Sequence, residues 1–466
     1  MSYAARQQSI TDDTLAEKPI GTAAVCLPRP TSPLGQPRVF PRHEPSVDYQ
    51  LTTLPNGVRI ASVEMPHMKS VSVGLWAAIG GRHESPQQSG MAHFLEHLLF
   101  KGTRRRNALQ LTEAVEGLGG YLNAFTTEDH TCYYAKAGAQ HLPKLCDVLL
   151  DMYLHSEMAP VEIEREREVI REEILMYRDH PAQHAQELLT ETMWPNHPLG
   201  RPLTGTVETI MSFKRPQLRS FLGEHYNGRN TIVTVAGRLS HEAVVALLEP
   251  SLGRLPRGRS PRFRRVRQQE GPARVALFTQ ETEQTQLAMG FHAFGRQDER
   301  RFGLKLLSVI LGENMSSRLF QKLREERGYC YNVSTSMATL ADTGVINICA
   351  GLDPSKLQKA LGLILRELES ICRKKPSKTE LKKAQDYTMG QTFMGLESTT
   401  NQMMWMGESL LGYGKILDPC EIEDRICNVT AEDVQRVACH CLHSGRLGVA
   451  IVGPVKDPEE VRRWLS

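Results

Sequence analysis

The sequence lacks the features that would place it in a membrane, on nucleic acid or in a disulfide-built scaffold. No apolar run in its 466 residues approaches the roughly 20 needed to cross a bilayer as a helix. Charge of one sign is not in excess: 56 basic against 53 acidic residues leave a formal net charge of +3, which supplies no general field for nucleic acid or an anionic membrane. The one basic cluster, Arg254 to Arg267, reads as a solvated linker. Ten cysteines run from Cys26 to Cys441 without framework spacing, and no secretory signal precedes them, so reduced thiols in a cytosol-like compartment are expected. Cys439, His440, Cys441 and His443 lack the spacing of a usual zinc finger and read as side chains near the end of a helix. Pro28, Pro30, Pro33, Pro37 and Pro41 interrupt a stretch with little apolar period, so residues 1–48 read as a flexible extension ahead of the core. Arg6, Arg29, Arg38 and Arg42 would suit a transit peptide, but Asp12, Asp13 and Glu17 argue against one; the cytoplasm is expected, with an organelle matrix as the alternative.

What is there is an apolar content of 40% in a chain too long for one core of average size, so two or more packed units are expected. From Tyr49 to Ile79 the sequence alternates in strand fashion, with Asn56-Gly57 as a hairpin turn. Helical patterning follows over Gly90 to Phe100, then strands over Gly120 to Thr126 and His130 to Ala137. Long helical stretches run over Gln140 to His155 and Val161 to Tyr177. Residues 253–271 are rich in Arg, Pro and Gly and read as a linker. Beyond it the pattern returns: Gln286 to Phe294 answers Val71 to Ile79, Gly303 to Leu311 answers Gly90 to Phe100, and Asn332 to Met337 with Val345 to Gly351 answers the pair around Thr126 and Tyr134. The prediction is an α+β fold of two similar half-chains, 49–252 and 272–466, each an antiparallel sheet packed with helices. In this alignment His93 to His97 falls opposite Lys305 to Val309, so a set of ionisable residues stands in the first half alone and asks for a functional explanation.

Ideal helix geometry puts His93, Glu96 and His97 within about 100° of one another around the axis. The remaining Phe94, Leu95, Leu98 and Leu99 make the helix a buried one, so its polar stripe must be satisfied inside the protein. Two histidines at i and i+4 can aim their nitrogens at one point, and Zn²⁺ accepts such nitrogens in a tetrahedral site. Glu96, one residue before the second histidine, can reach a water at the metal without being a ligand, as a general base must. The order His-x-x-Glu-His is a zinc peptidase signature inverted from His-Glu-x-x-His, but in a chain with 16 histidines it needs a third ligand found independently. Val161 to Tyr177 supplies candidates. On a helical wheel Glu166 and Glu173 share the face of Val169, Ile170 and Tyr177, while Glu164, Glu168 and Glu172 point elsewhere. Carboxylates on an apolar face are costly unless paired or metal-bound. Two imidazoles and one carboxylate leave an open position at the metal, the composition of a catalytic site.

These residues resemble the pitrilysin, or M16, family of zinc peptidases, especially the shorter members related to the mitochondrial processing peptidase β-subunit and its bacterial relatives. The markers are Gly90-Met91-Ala92-His93-Phe94-Leu95-Glu96-His97-Leu98-Leu99-Phe100-Lys101-Gly102-Thr103, Asn123-Ala124-Phe125-Thr126, and Glu166 through Ile174. The resemblance implies one zinc ion per chain on His93, His97 and Glu173, with Glu96 as catalytic base and Glu166 supporting the site. It also implies substrate contacts at Arg324 and Tyr331, and a peptide laid along the strand of Asn123 and Ala124. Subunits of this length commonly face each other around a chamber that admits unfolded peptides, so a homodimer, or a heterodimer with a related subunit, is expected. The alternatives are a non-catalytic, structural or chaperone-like member and a hydrolase for another substrate on the same metal.

Overall fold

The computed structural model describes residues 47–267 and 270–465, so the expected N-terminal extension, apart from Val47 and Asp48, lies outside the described residues. Among the described residues, eleven strands form two sheets. The first contains β1 (Tyr49–Thr53), β2 (Arg59–Glu64), β3 (Ser70–Ala77), β4 (Tyr121–Thr126), β5 (Thr131–Gly138) and β6 (Thr231–Gly237), in the order β1-β2-β6-β3-β5-β4. The second contains β7 (Arg274–Thr279), β8 (Thr285–Ala293), β9 (Cys330–Thr339), β10 (Gly344–Leu352) and β11 (Leu447–Gly453), in the order β7-β11-β8-β10-β9. Read from β2 and from β7 the two orders coincide. Each sheet is antiparallel except for one parallel pair, β2 with β6 and β7 with β11. The fold is α+β, in two sheet-plus-helix halves.

The central strands β6 and β11 are buried along their whole length. Their sequences, TIVTVAG and LGVAIVG, are correspondingly near-continuous apolar runs, as strands covered on both faces require. The inner faces pack on helices of their own half: Val233 and Val235 join one core with Phe94, Leu95 and Leu149, and Val449 and Ile451 join another with Leu304, Leu307 and Leu361. The outer faces are covered by exchange. The helix Thr399–Tyr413, from the second half, lays Met403, Met406 and Leu410 on Trp76, Ile232 and Ala236 of the first sheet. The helix Pro181–Met193, from the first half, lays Ala185, Leu189 and Met193 on Ala288, Ala450 and Val452 of the second. Contact is close enough that a Cβ on Gly407 would lie 2.1 Å from the Trp76 ring. With each buried large side chain contributing about 1.5–3 kcal/mol, the two halves hold each other's sheets in place.

The exchange is reinforced by ions at the hairpin ends. Arg82, 1% exposed, pairs with Asp129 at 3.0 Å and with Asp342 of the second half at 2.6 Å. Asp129 also takes Arg296 at 3.0 Å, and the Asp342 carboxylate accepts the Val266 N–H at 2.8 Å. Residues 253–267 between the halves form no strand or helix.

Candidate metal centre

The motif helix spans Met91–Leu99, with Met91, Ala92, Phe94, Leu95, Leu98 and Leu99 buried in the first core. Its N-cap is Gly90, at φ +89°, where a Cβ would lie 2.5 Å from the Thr204 carbonyl oxygen. A glycine has no side chain to cap the first turn, and the exposed N–H groups there must find another acceptor. They find Glu84, which accepts Gly90 N–H at 2.8 Å on one oxygen and Ala92 N–H at 2.7 Å on the other. Glu84 is 5% exposed; burial raises its carboxyl to about 7, against the pull of those N–H donors. The helix start is thereby fixed, and with it the direction of His93, Glu96 and His97.

The second element is the helix Pro160–Asp179. Its buried positions are Ile163, Glu166, Ile170 and Ile174, while Glu164, Glu168 and Glu172 are exposed. Val169 corrects the wheel: it is 48% exposed and does not share the inward face. The buried face is centred between Ile163, Ile170 and Ile174, so Glu166 lies within it, Glu173 at its edge, and Val169 about 120° from the centre, beyond that edge. From the edge, Glu173 reaches the motif helix.

Glu173 Oε2 lies 3.6 Å from His93 Nε2 and 3.5 Å from His97 Nε2. One ligand atom from each of these three residues falls within 4.8 Å of the others, and among the described residues no other cluster of His, Cys, Asp or Glu does so. The spacings are long for hydrogen bonds. They fit atoms that share a tetrahedral ion at about 2.0–2.1 Å, which stand roughly 3.4 Å apart. His97 donates its other ring nitrogen, Nδ1, to Glu166 Oε2 at 3.1 Å, which turns Nε2 toward Glu173. Lys101 Nζ holds the second oxygen of Glu166 at 2.8 Å, and the Tyr177 hydroxyl donates to Glu173 Oε1 at 2.9 Å. His93 Nδ1 is buried without a protein partner.

Electrostatics separates the three carboxylates and two imidazoles. Burial lowers His93 to about 4, with His97 adding repulsion. Burial would also lower His97, but its hydrogen bond to Glu166 and the nearby Glu173 carboxylate prevail and raise it to about 9. Glu173 is held down at about 2, burial being outweighed by the two histidines and Tyr177. Glu166 is likewise held below the usual range, His97 and Lys101 outweighing its burial. Glu96 differs: burial raises it, and the Thr126 hydroxyl, donating to Oε2 at 2.6 Å, offsets this in part. Of Glu96, Glu166 and Glu173, it alone is raised above the usual carboxylate range.

Asn123 and Ala124 lie on β4, the edge of the first sheet, and the Asn123 side-chain oxygen accepts the Ala124 N–H at 2.9 Å. Among the described residues β4 pairs with no strand other than β5, which makes it the edge of the sheet. Arg324 is on a turn of π-helix, Phe320–Glu325, and Tyr331 on β9, the edge of the second sheet. The Arg324 guanidinium lies 4.8 Å from the centre of the Phe320 ring and 5.2 Å from that of Tyr331, whose side chain is 75% exposed. The structure joins this pair to each other and not to the histidines. Glu84, Lys101 and Thr126 had no role assigned from sequence. Of these only Glu84 had a local signal, an acidic residue shortly before a helix whose N-cap is glycine.

His93, His97 and Glu173 together offer two imidazoles and a carboxylate, a donor set that could hold a metal ion with a position left open. The profile of "Insulinase (Peptidase family M16)" matches residues 59–207, and that of "Peptidase M16 inactive domain" matches residues 212–387. The chain belongs to peptidase family M16. A protein of Streptomyces coelicolor named an uncharacterized zinc protease is 36% identical over 422 residues, covering 88% of this chain and 91% of that protein. A Bacillus subtilis protein, also named an uncharacterized zinc protease, is 35% identical over 405 residues, covering 86% and 97%. Among solved structures, a protease from Helicobacter pylori matches with a TM-score of 0.82 at 23% identity, over 88% of this chain and 100% of that one. A Pseudomonas fluorescens structure described as a peptidase M16 inactive domain matches with a TM-score of 0.80 at 18% identity, over 88% and 99%.

Proposed function

We propose that this chain is a zinc-dependent endopeptidase that hydrolyses unfolded peptides or peptide segments, with one zinc ion held by His93, His97 and Glu173. The observation that carries the reading is the convergence of the two Nε2 atoms on Glu173 Oε2 with Glu96 alongside. The donor set, and the zinc in the names of its relatives, support the choice of metal. Bound there, zinc would supply Lewis-acid polarisation of the peptide carbonyl and acidify water for attack.

The chain's own residues do the rest. Glu166 and Lys101 fix the His97 ring and its tautomer. Glu96 accepts the proton of the attacking water and returns it to the leaving amine; burial favours the protonated form it passes through. A peptide adds to the open side of β4 along Asn123 and Ala124. Thr126, on the same strand, holds Glu96, so base and scissile bond share one frame. The chemistry belongs to residues 49–252, and residues 272–466, joined through 253–271, form an inactive duplicate. Arg324 and Tyr331 are assigned to substrate at the zinc of a facing subunit, in a homodimer or a heterodimer with a related chain that encloses a chamber. We assign the protein to the cytoplasm.

The test is to incubate the purified chain with an unfolded peptide mixture and map the cuts. Cleavage should stop on chelation and return with zinc. Cuts that persist in the stripped protein, or none at full zinc occupancy, would refute the reading.

A further inference from the structure

The cysteines take no part in the centre, and the nine among the described residues are all free. Two of them meet where two helices of the second half end. Cys372 is in the last turn of the helix Leu357–Arg373, and Cys439 in the last turn of the helix Ala431–Cys441. The carbonyls of a helix's last turn have no partner within it. That of Cys372 is satisfied across the contact, accepting Gln435 Nε2 at 2.9 Å and, one turn further along the second helix, the Cys439 thiol at 3.3 Å. The Cys439 sulfur thus lies directly against the main chain of Cys372. Cys439 is exposed and Cys372 half-buried, whereas Cys441, two residues on, is fully buried. A disulfide needs its two residues in direct contact, as these are.

We propose that Cys372 and Cys439 form a reversible disulfide site that takes low-molecular-weight disulfides as oxidant. Exposed Cys439 reacts first. Its thiolate attacks the reagent, forming a mixed disulfide and releasing one small thiol; the Cys372 sulfur then attacks the Cys439 sulfur and releases the second. Both protein thiols lose their protons to the departing thiolates, so one small disulfide is reduced to two thiols as the protein pair is oxidised. Burial, with Cys439 adding to it, raises the Cys372 thiol to about 12, so little of it is thiolate and Cys439 is the one that meets the reagent first.

The bond would close a loop that contains the helices Lys378–Leu396 and Thr399–Tyr413, the second of which covers the outer face of the first sheet. Restricting that loop in the unfolded chain stabilises the folded one. Oxidation would therefore brace the segment through which the second half holds the first.

The reduced full chain is exposed to oxidised glutathione near pH 8, alkylated, digested without reduction and mapped by mass spectrometry. A cross-linked pair of peptides carrying Cys372 and Cys439 is expected, reversed by dithiothreitol, with a raised thermal unfolding midpoint. Cys439→Ser should abolish both changes while the reduced variant keeps the peptidase activity of the reduced parent. The proposal is overturned if Cys439 stays as a mixed disulfide with Cys372 still alkylatable, if another pair is linked, or if Cys372→Ser responds as the parent does. The readout is independent of the metal.

Discussion

The helices Met91–Leu99 and Arg301–Gly312 hold the same place in their respective halves, each against its sheet and edge strand, and they present opposite surfaces. The first offers His93, Glu96 and His97, each with a partner on β4 or on the helix Pro160–Asp179. The second is buried from Phe302 to Gly312 but for Lys305, which turns out to pair with Glu313. Even the bridge to the edge strand survives in neutral form: where Glu96 takes the Thr126 hydroxyl at 2.6 Å, Ser308 meets Thr335 at 3.3 Å. Ionisable groups on a buried helix cost free energy unless satisfied. The duplicated frame therefore tolerates a charged stripe only where a facing helix supplies the complement, and the counterpart Lys378–Leu396 has Glu380 engaged instead by Arg318 at 2.6 and 2.8 Å.

That contrast can be broken at its centre. Glu96→Gln should keep fold and zinc and lose about 10²- to 10⁴-fold in peptide hydrolysis, whereas Ser308→Ala should leave the rate near the parent's. Equal losses in the two variants would mean that the helices do not differ as described, and zinc loss in Glu96→Gln would make Glu96 a ligand.

Within the glutamate helix the comparison sharpens to adjacent residues. Glu173→Gln should weaken zinc retention by more than the about 10- to 100-fold typical of losing a residue that orients a ligand, and Glu172→Gln hardly at all. Metal content after dialysis against a mild chelator checks this, and the reverse order would reassign the ligand.

Acidity offers a smaller effect of definite sign. Although burial alone would lower it, His97 is raised to about 9 by Glu166 and Glu173, so at neutral pH zinc must displace its proton. Affinity should fall about tenfold for each unit of acidification below pH 9 and level off above it. Competition with a chelator of known pH dependence, at pH 6, 7 and 8, measures the slope; a flat profile would mean that His97 is already neutral.

The smallest effect joins the two halves. If Arg324 and Tyr331 serve the opposing subunit, mixing His93→Ala with Tyr331→Phe chains should restore activity several-fold above either parent, since one composite site per mixed dimer is whole. Mixed dimers that form without any regain would confine the pair to its own chain.

Much of this architecture was legible because helices and strands write their period into the sequence. The Asn56-Gly57 turn does join β1 to β2, and the helix and strand stretches around His93, Thr126, Tyr134 and Ile170 stand within a few residues of their expected ends. The repeat beyond residue 271 was visible because the second sheet needs the same alternation as the first. His93, Glu96 and His97 were legible as a stripe because they share one short helix. Glu173 required a second helix and a wheel, and the wheel misplaced Val169 because an ideal projection gives relative angles but not the centre of the buried face.

The sequence by itself determined where the chain is helical or extended, that it repeats, and which polar residues stand on otherwise apolar faces. Tertiary structure decided the rest: that β2 and β6 run parallel, that each half lends a helix to the other's sheet, that Glu84 caps the motif helix and Thr126 holds Glu96. The physical reason is that periodicity records the presence of a buried face but not what covers it. An amphipathic helix such as Pro181–Met193 has the same pattern whether it lies on its own sheet or its neighbour's, and only the packing of the whole chain selects between them.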